Sequence, residues 1–349
     1  MQDTPNTFNT PLSGLADRDA WLTRAAEVAA DDGYVERLGD RHAALFIEDK
    51  PILLVTFETH QGIAALSRDA QPLGWDMARA LGWSHLCLVS DGDTWFRDRA
   101  VYGYFDRLID DGFFEDFDQV IFYGAGSCGY AAAAFSVAAP GAKVVALAPQ
   151  ATLDPRMAEW DDRFRDMRRT SFTDRYGYAP DMLDAASEAF VIYDPEDDLD
   201  AMHAALFARK NVTLFRMRYM GPELEQGLMR LQILFRILAQ VSAGKLDRAA
   251  LAKLFRARRR DGGYQFSLLE RLKAAGRPYL VILLARKVLE QRSARPFKKA
   301  LDAALRTARE NGSRLPPETR PGAEQEARVA AAPGAAPDED NMTDSSVKG

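Results

Sequence analysis

Apolar residues along this chain fall into short unbroken runs, separated by stretches in which they recur every three or four positions. Pro51–Phe57 (PILLVTF), Ser84–Val89 (SHLCLV), Gln119–Tyr123 (QVIFY), Lys143–Ala148 (KVVALA), Phe190–Tyr193 (FVIY) and Val212–Met217 (VTLFRM) have the length and character of strands buried on both faces. Ala43–Ile47 reads as a further short strand. Asp17–Ala30 places Trp21, Leu22, Ala25 and Val28 on one face behind an acidic start, and Pro72–Gly82, Val101–Asp111 and Tyr130–Ala138 are also helical in pattern. Strands alternating with helices predict an α/β fold built on a mostly parallel sheet flanked by helices. The six apolar runs should share one sheet, with the glycine-rich turn Gly124–Gly129 at its carboxyl edge.

Beyond the last strand the pattern becomes wholly helical: Leu224–Ala243, Leu246–Arg258, Ser267–Ala275, Pro278–Arg292 and Arg295–Asn311, punctuated by Gly and Pro. The expected organisation is an α/β domain over 1–243, a basic all-α appendage over 244–311 and a tail over 312–349. Leu280, Leu283, Leu284, Val288 and Leu289 are the expected core face of the appendage. The Pro, Ala, Glu, Asp and Ser of the tail cannot support a core, so disorder is expected there.

Charge sharpens this division. The net charge is −6, yet 245–310 holds 18 Lys/Arg against 6 Asp/Glu, which leaves +12 there and −18 on the rest. Such a basic surface suits an acidic partner, nucleic acid, an anionic lipid surface or the chain's own acidic body. The two cysteines, Cys87 and Cys128, lie in apolar surroundings, and the polar start MQDTPNTFNT lacks the plan of a signal peptide. A cytoplasmic setting is the expectation. No apolar run approaches the roughly 20 residues of a membrane span.

The densest chemistry sits at QVIFYGAGSCGY, where a strand enters a turn of Gly124, Gly126 and Gly129 and leaves into the alanine-rich AAAAFSV. Tyr123, Gly124, Gly129 and Tyr130, then Ala148-Pro149-Gln150, Leu153-Asp154-Pro155 and Tyr193-Asp194-Pro195, resemble bacterial α/β-hydrolase-like proteins. Those proteins carry a Tyr-Gly-x-Ser-Met-Gly-Gly-Tyr nucleophile elbow, often in a polysaccharide-modification or secretion context. The resemblance spans about Pro51–Leu228. It implies a pocket at the elbow built around Gly124, Gly126, Cys128, Gly129 and Tyr130. In that register the family's serine falls on Gly126, and Pro222 stands where a Gly-His pair would supply the base. Asp197 is the implied acid.

The remaining candidates have two readings each. Ser127 either acts as a nucleophile or caps a helix start, and Cys128 is either a thiol nucleophile or a small buried hydrophobe. His60, on the loop after the PILLVTF strand, is expected to lie nearer the Gly126–Ser127 turn than any other histidine. His42 reads as a turn residue, His85 as the opening of a buried strand and His203 as a packing residue. The segment 154–184, mixing Trp160, Phe164, Phe172, Tyr176 and Tyr178 with six arginines, occupies the place of a lid. It suits either an anionic or glycan ligand or a packed cap with a solvated face.

Other chemistries find no support. The histidines and cysteines show no zinc-ligand spacing and the turn lacks a P-loop's Gly-Lys-Ser/Thr, and although Gly124, Gly126 and Gly129 have GxGxxG spacing, that spacing alone makes only a weak dinucleotide signal. A sulfonucleotide (PAPS) reductase would show a Glu-Cys-Gly-His segment or a Ser-Gly-Gly-x-Asp-Ser loop, and neither is present. The sequence thus points to a degenerate α/β-hydrolase-like protein, without metal or cofactor, whose elbow pocket binds or scaffolds a small-molecule, glycan or anionic ligand. The alternative is an active serine esterase or acyltransferase using Ser127 with His60 and Asp197.

Overall fold

The continuous apolar runs pair with one another at the centre of a single eight-stranded sheet. The computed structural model describes residues 10–49, 51–312 and 314–317. Its strands are β1 (Gly33–Leu38), β2 (His42–Ile47), β3 (Ile52–Thr59), β4 (Ser84–Ser90), β5 (Gln119–Ala125), β6 (Lys143–Leu147), β7 (Glu188–Tyr193) and β8 (Val212–Arg216), in the spatial order β1-β2-β4-β3-β5-β6-β7-β8. β2 runs antiparallel to both β1 and β4, and every pairing from β4 through β8 is parallel. All six expected runs lie in this sheet. β1 was not expected, because its GYVERL carries exposed polar residues and pairs on one side only, as an edge strand does. His42 also differs from expectation: it starts β2, is 2% exposed and bonds Thr94 Oγ1 through Nε2 at 2.8 Å.

Both sheet faces are covered, which is why the central strands read as unbroken apolar runs. Alternation along each strand sends Val55, Phe57 and Phe122 to one face, against Phe105 and Phe135. The same helices that cover this face are α4 (Arg99–Asp110) and α5 (Ser127–Phe135). Leu54, Ile121, Tyr123 and Val145 face the other way, onto Leu228, Leu234, Ile237 and Val241. Each such side chain contributes roughly 1.5–3 kcal/mol by leaving water. α1 (Arg18–Ala29) is capped by Asp17 and buries Trp21, Leu22 and Ala25 beside β2.

Three helical expectations change. Leu224–Ala243 breaks into Leu224–Arg230 and Leu234–Ser242, with Gln232 at φ 56° between them. The chain divides into compact units at Ser267/Leu268 rather than after 243. Leu246, Leu251 and Phe255 are buried with Phe215 and Leu234, so the helix Arg248–Phe255 belongs to the first unit despite its basic exterior. Arg258, in the turn after it, stacks 3.9 Å from the Phe255 ring centre and donates to Tyr264 Oη.

The second unit packs Val281, Ile282, Ala285 and Val288 of the helix Pro278–Gln291 against Phe297, Ala300 and Ala304 of the helix Arg295–Glu310. Leu280 and Leu283, expected inside, are each 41% exposed. Apart from 312 and 314–317, the expected disordered tail lies outside the described residues. No helix among the described residues is long and apolar enough to cross a membrane.

Candidate functional site

The turn at the carboxyl end of β5 is shaped by two different uses of glycine. Gly126 has φ 58° and ψ −122°, a backbone conformation that disfavours any residue with a Cβ. A Cβ there would meet no atom within 4 Å, so the position faces open space. Gly124 is required for the opposite reason: a Cβ on it would lie 2.2 Å from the carbonyl oxygen of Cys128. Gly129 approaches Leu147 O and Gly124 O closely. Gly126 N–H donates to Leu147 O at 2.8 Å, which ties the turn to β6, and α5 begins at Ser127.

A cavity of about 150 Å³ opens above this turn, bounded by the end of β3, the loop after β4, the turn itself and the start of the helix Leu224–Arg230. A larger groove of about 480 Å³, lined by Phe114, Gln119 and Lys143 among others, lies at the opposite, amino ends of β5 and β6. The smaller cavity is the candidate site because it sits at the strand carboxyl ends and gathers the titratable groups. Gly126, Ser127 and Cys128 line it, together with Glu58, Asp93 and Glu225.

Ser127 Oγ donates to Asp93 Oδ1 at 2.5 Å. Glu58, 8% exposed, accepts from Thr56 Oγ1 at 2.6 Å, from Cys87 Sγ at 3.4 Å and from the Leu73 N–H at 3.1 and 3.2 Å. The last contact supplies an acceptor to the first turn of α3 (Leu73–Leu81), whose preceding Pro72 offers no side-chain cap. Burial raises the Glu58 pKa, and those donors pull it back. Glu225 Oε1 accepts from Tyr123 Oη at 2.5 Å. Burial pushes its carboxyl up to about 7, opposed by the Tyr123 bond and assisted by the Glu58 charge. Burial and then the charges of Glu225 and Asp93 hold the Cys128 thiol well above its ordinary range. It is therefore a protonated, weakly nucleophilic group.

None of the four histidines lines this cavity. His60 begins α2 (His60–Leu66), where its ring meets the edge of Trp21 at 5.3 Å between centroids. Burial and then Arg18 lower its pKa. His203 is buried against the segment between β6 and β7: Ala151 N–H donates to Nδ1 at 3.1 Å, and Nε2 bonds Asp161 Oδ2 at 3.0 Å. With Nδ1 an acceptor and Nε2–H the donor, the ring is neutral, and burial lowers its pKa to about 4. Asp197 caps the helix Asp198–Leu206 by accepting from Asp200 N and stands 3.8 Å from Arg163. It contacts neither Ser127 nor a histidine.

Asp194, directly after β7, is 3% exposed and accepts from the main-chain N–H groups of Tyr219 at 3.1 Å, Gly221 at 2.8 Å and Glu196 at 3.0 Å. It thereby fixes the loop that contains Pro222. Of the expected pocket residues, Gly124, Gly129 and Tyr130 do not line the cavity. Tyr130 points to the segment between β6 and β7, donating to Tyr176 O and accepting from Arg97 Nη1.

That segment is a packed cap. Arg156 pairs with Asp154, Arg163 with Asp161 and Asp200, Arg165 with Asp162 and Arg175 with Asp106. Trp160 packs on His203, Phe164 on Trp95, Phe172 on Tyr130 and Tyr176 on Phe135. Four of its six arginines are thus committed to carboxylates. The elbow cavity itself carries three carboxylates and no basic side chain, so its residues do not suit an anionic ligand.

Sequence reasoning missed all three of these carboxylates, having looked for a serine and a histidine. It also missed that β3 and β4 bring Glu58, His85 and Cys87 together, with donor atoms within 4.8 Å of one another.

The sheet order, the antiparallel β2 and the turn after β5 define an α/β-hydrolase-like fold. No family model and no curated protein matches the chain. Solved structures do resemble it. Est1E from Butyrivibrio proteoclasticus is 12% identical, with 61% of this chain and all of that one covered at a TM-score of 0.37. The capsule O-acetyltransferase of Neisseria meningitidis serogroup A is 12% identical over 59% and 94% of the two chains, at 0.38. A hyperthermophilic esterase from the archaeon Pyrobaculum calidifontis is 16% identical over 65% and 90%, also at 0.38.

Proposed function

We propose that this protein binds a small ligand in the cavity above Gly126 and does not hydrolyse it. The observation that carries this reading is Gly126 itself. It holds the positive-φ apex between β5 and α5, where a hydrolase of this fold presents its nucleophile, and it has open space where that side chain would stand. The base position is likewise without a base, because Pro222 can neither take nor deliver a proton. Three carboxylates and the hydroxyl residues Thr59 and Ser127 make the cavity rich in hydrogen-bond acceptors, which favours a neutral, hydroxyl-bearing ligand of the glycan class over an anion.

A serine-directed fluorophosphonate is expected to leave the unmodified protein unlabelled. Gly126→Ser alone should also stay unlabelled, since its new hydroxyl has no imidazole beside it. Gly126→Ser with Pro222→His should gain weak labelling and weak p-nitrophenyl ester turnover, because members of a triad act as a unit. Labelling of the unmodified protein that disappears in Ser127→Ala would replace this proposal with the second reading.

That second reading is an active serine esterase or acyltransferase built on Ser127. It is favoured by one contact, the 2.5 Å bond that directs the Ser127 hydroxyl at the Asp93 carboxylate inside the cavity. In that case Asp93, rather than the expected His60, is the group placed to receive the serine proton.

A further inference from the structure

β3 and β4 are parallel neighbours in which Thr56 lies opposite Cys87 and Leu54 opposite His85. Because side chains alternate along a strand, Thr56 and Glu58 share a face of β3, and His85 and Cys87 share a face of β4. Four polar side chains thus form a patch beneath α3, in a layer otherwise made of Trp75, Leu73 and other apolar groups. Glu58, His85 and Cys87 are 8%, 1% and 0% exposed. Thr56 Oγ1 donates to Glu58 at 2.6 Å and therefore accepts from His85 Nε2–H at 2.8 Å, which leaves His85 Nδ1 buried without a partner. A buried carboxyl, a thiol and an imidazole thus converge at one point, with donor atoms within 4.8 Å of one another.

We propose that Glu58, His85 and Cys87 bind a divalent transition metal of the zinc class, with the Thr56 hydroxyl beside the fourth position. One oxygen, one nitrogen and one sulfur donor are the ligand types zinc takes, and the mixture is too soft for magnesium or calcium. Alternate residues on adjacent strands hold such donors rigidly, since backbone pairing on both sides fixes them. Coordination replaces the Cys87 S–H by an S–metal bond and releases that proton to solvent. Glu58 also borders the elbow cavity and a second one of about 190 Å³ beside Gln71, so an ion has a route in from either side. A metal here would stand behind the wall of the candidate ligand site, and the inference does not depend on what that site binds.

The test uses the full chain, stripped with a chelator and titrated with Co²⁺ in place of Zn²⁺. One equivalent should produce the visible absorption of tetrahedral cobalt together with a thiolate-to-cobalt charge-transfer band, and Zn²⁺ should abolish both. Glu58→Gln should weaken Co²⁺ binding by about tenfold or more. The chain has only two cysteines, so a charge-transfer band that survives in Cys128→Ala comes from Cys87. That comparison still decides the matter if Cys87→Ser fails to fold. Absence of the band in the unmodified protein overturns the proposal, as does its loss in Cys128→Ala.

Discussion

Gly124→Ala is expected to leave little or no folded protein. The added methyl would stand 2.2 Å from Cys128 O, 2.4 Å from Cys128 C and 2.9 Å from Gly129 N, all main-chain atoms of the first turn of α5. No flexible side chain can swing aside. Relief requires moving β5 or α5, and both lie at the centre of the sheet against buried neighbours. Overpacking that a side chain absorbs costs about 1–3 kcal/mol, and a rigid backbone collision costs more. Against a total stability of about 5–15 kcal/mol, this should appear as insoluble expression or a collapsed urea midpoint. Gly126→Ala, two residues on, should cost only the strain of its positive φ, roughly 1–3 kcal/mol. Equal urea midpoints for the two variants would show that the turn does not pack in this way.

Glu225→Gln should stabilise the protein in mild alkali. The Glu225 carboxyl titrates near 7 in the folded chain and at its ordinary lower value in the unfolded one. Between those values the native state holds a proton that the unfolded chain has released. Stability from this group is therefore full below the lower value and is lost as pH rises through about 7. The amide keeps the acceptor for Tyr123 Oη and carries no charge at any pH. At pH 8 the variant should gain about 2–3 kcal/mol, allowing for the solvent that still reaches the group, and at pH 4.5 the difference should vanish. Urea denaturation at both values measures it. A gain equal at the two pH values would mean that the carboxyl titrates in the folded protein as in an open chain.

The strands could be read from the sequence because burial on both faces leaves an unmistakable apolar run, as in PILLVTF and SHLCLV. The limit of that signal is visible at β1 and β2. GYVERL pairs on one side only, and His42 looks like part of the polar turn Gly39-Asp40-Arg41 although its ring is enclosed. The domain boundary was misplaced for a related reason. Charge on the outside of the helix Arg248–Phe255 says nothing about which core its Leu251 and Phe255 enter.

Around the site, the glycine turn could be placed at the end of β5 from its pattern, whereas the carboxylates could not. Glu58 looks like the polar end of a strand, and Glu225 like an ordinary helix-start acid. Only the strand order brings them to one cavity, and strand order is not a property of any local window. Alternate spacing in Thr56-x-Glu58 and His85-x-Cys87 marks each pair as sharing a face. That β3 and β4 are neighbours is supplied only by the tertiary structure.

The three main-chain bonds of Asp194 bear on how the loop after β8 tolerates change. A carboxylate free to turn could be drawn to a new partner by one substitution. This one is engaged by the amides of Tyr219 and Gly221 across the loop that carries Pro222. Drawing it away would strand these two N–H groups and that of Glu196, at about 1–3 kcal/mol for each one that stays buried. Variants that redirect the Asp194 carboxylate would thus be less stable until new partners cover those N–H groups. The loop behaves as a latch: its other positions can change one at a time only while the Asp194 carboxylate stays on those amides.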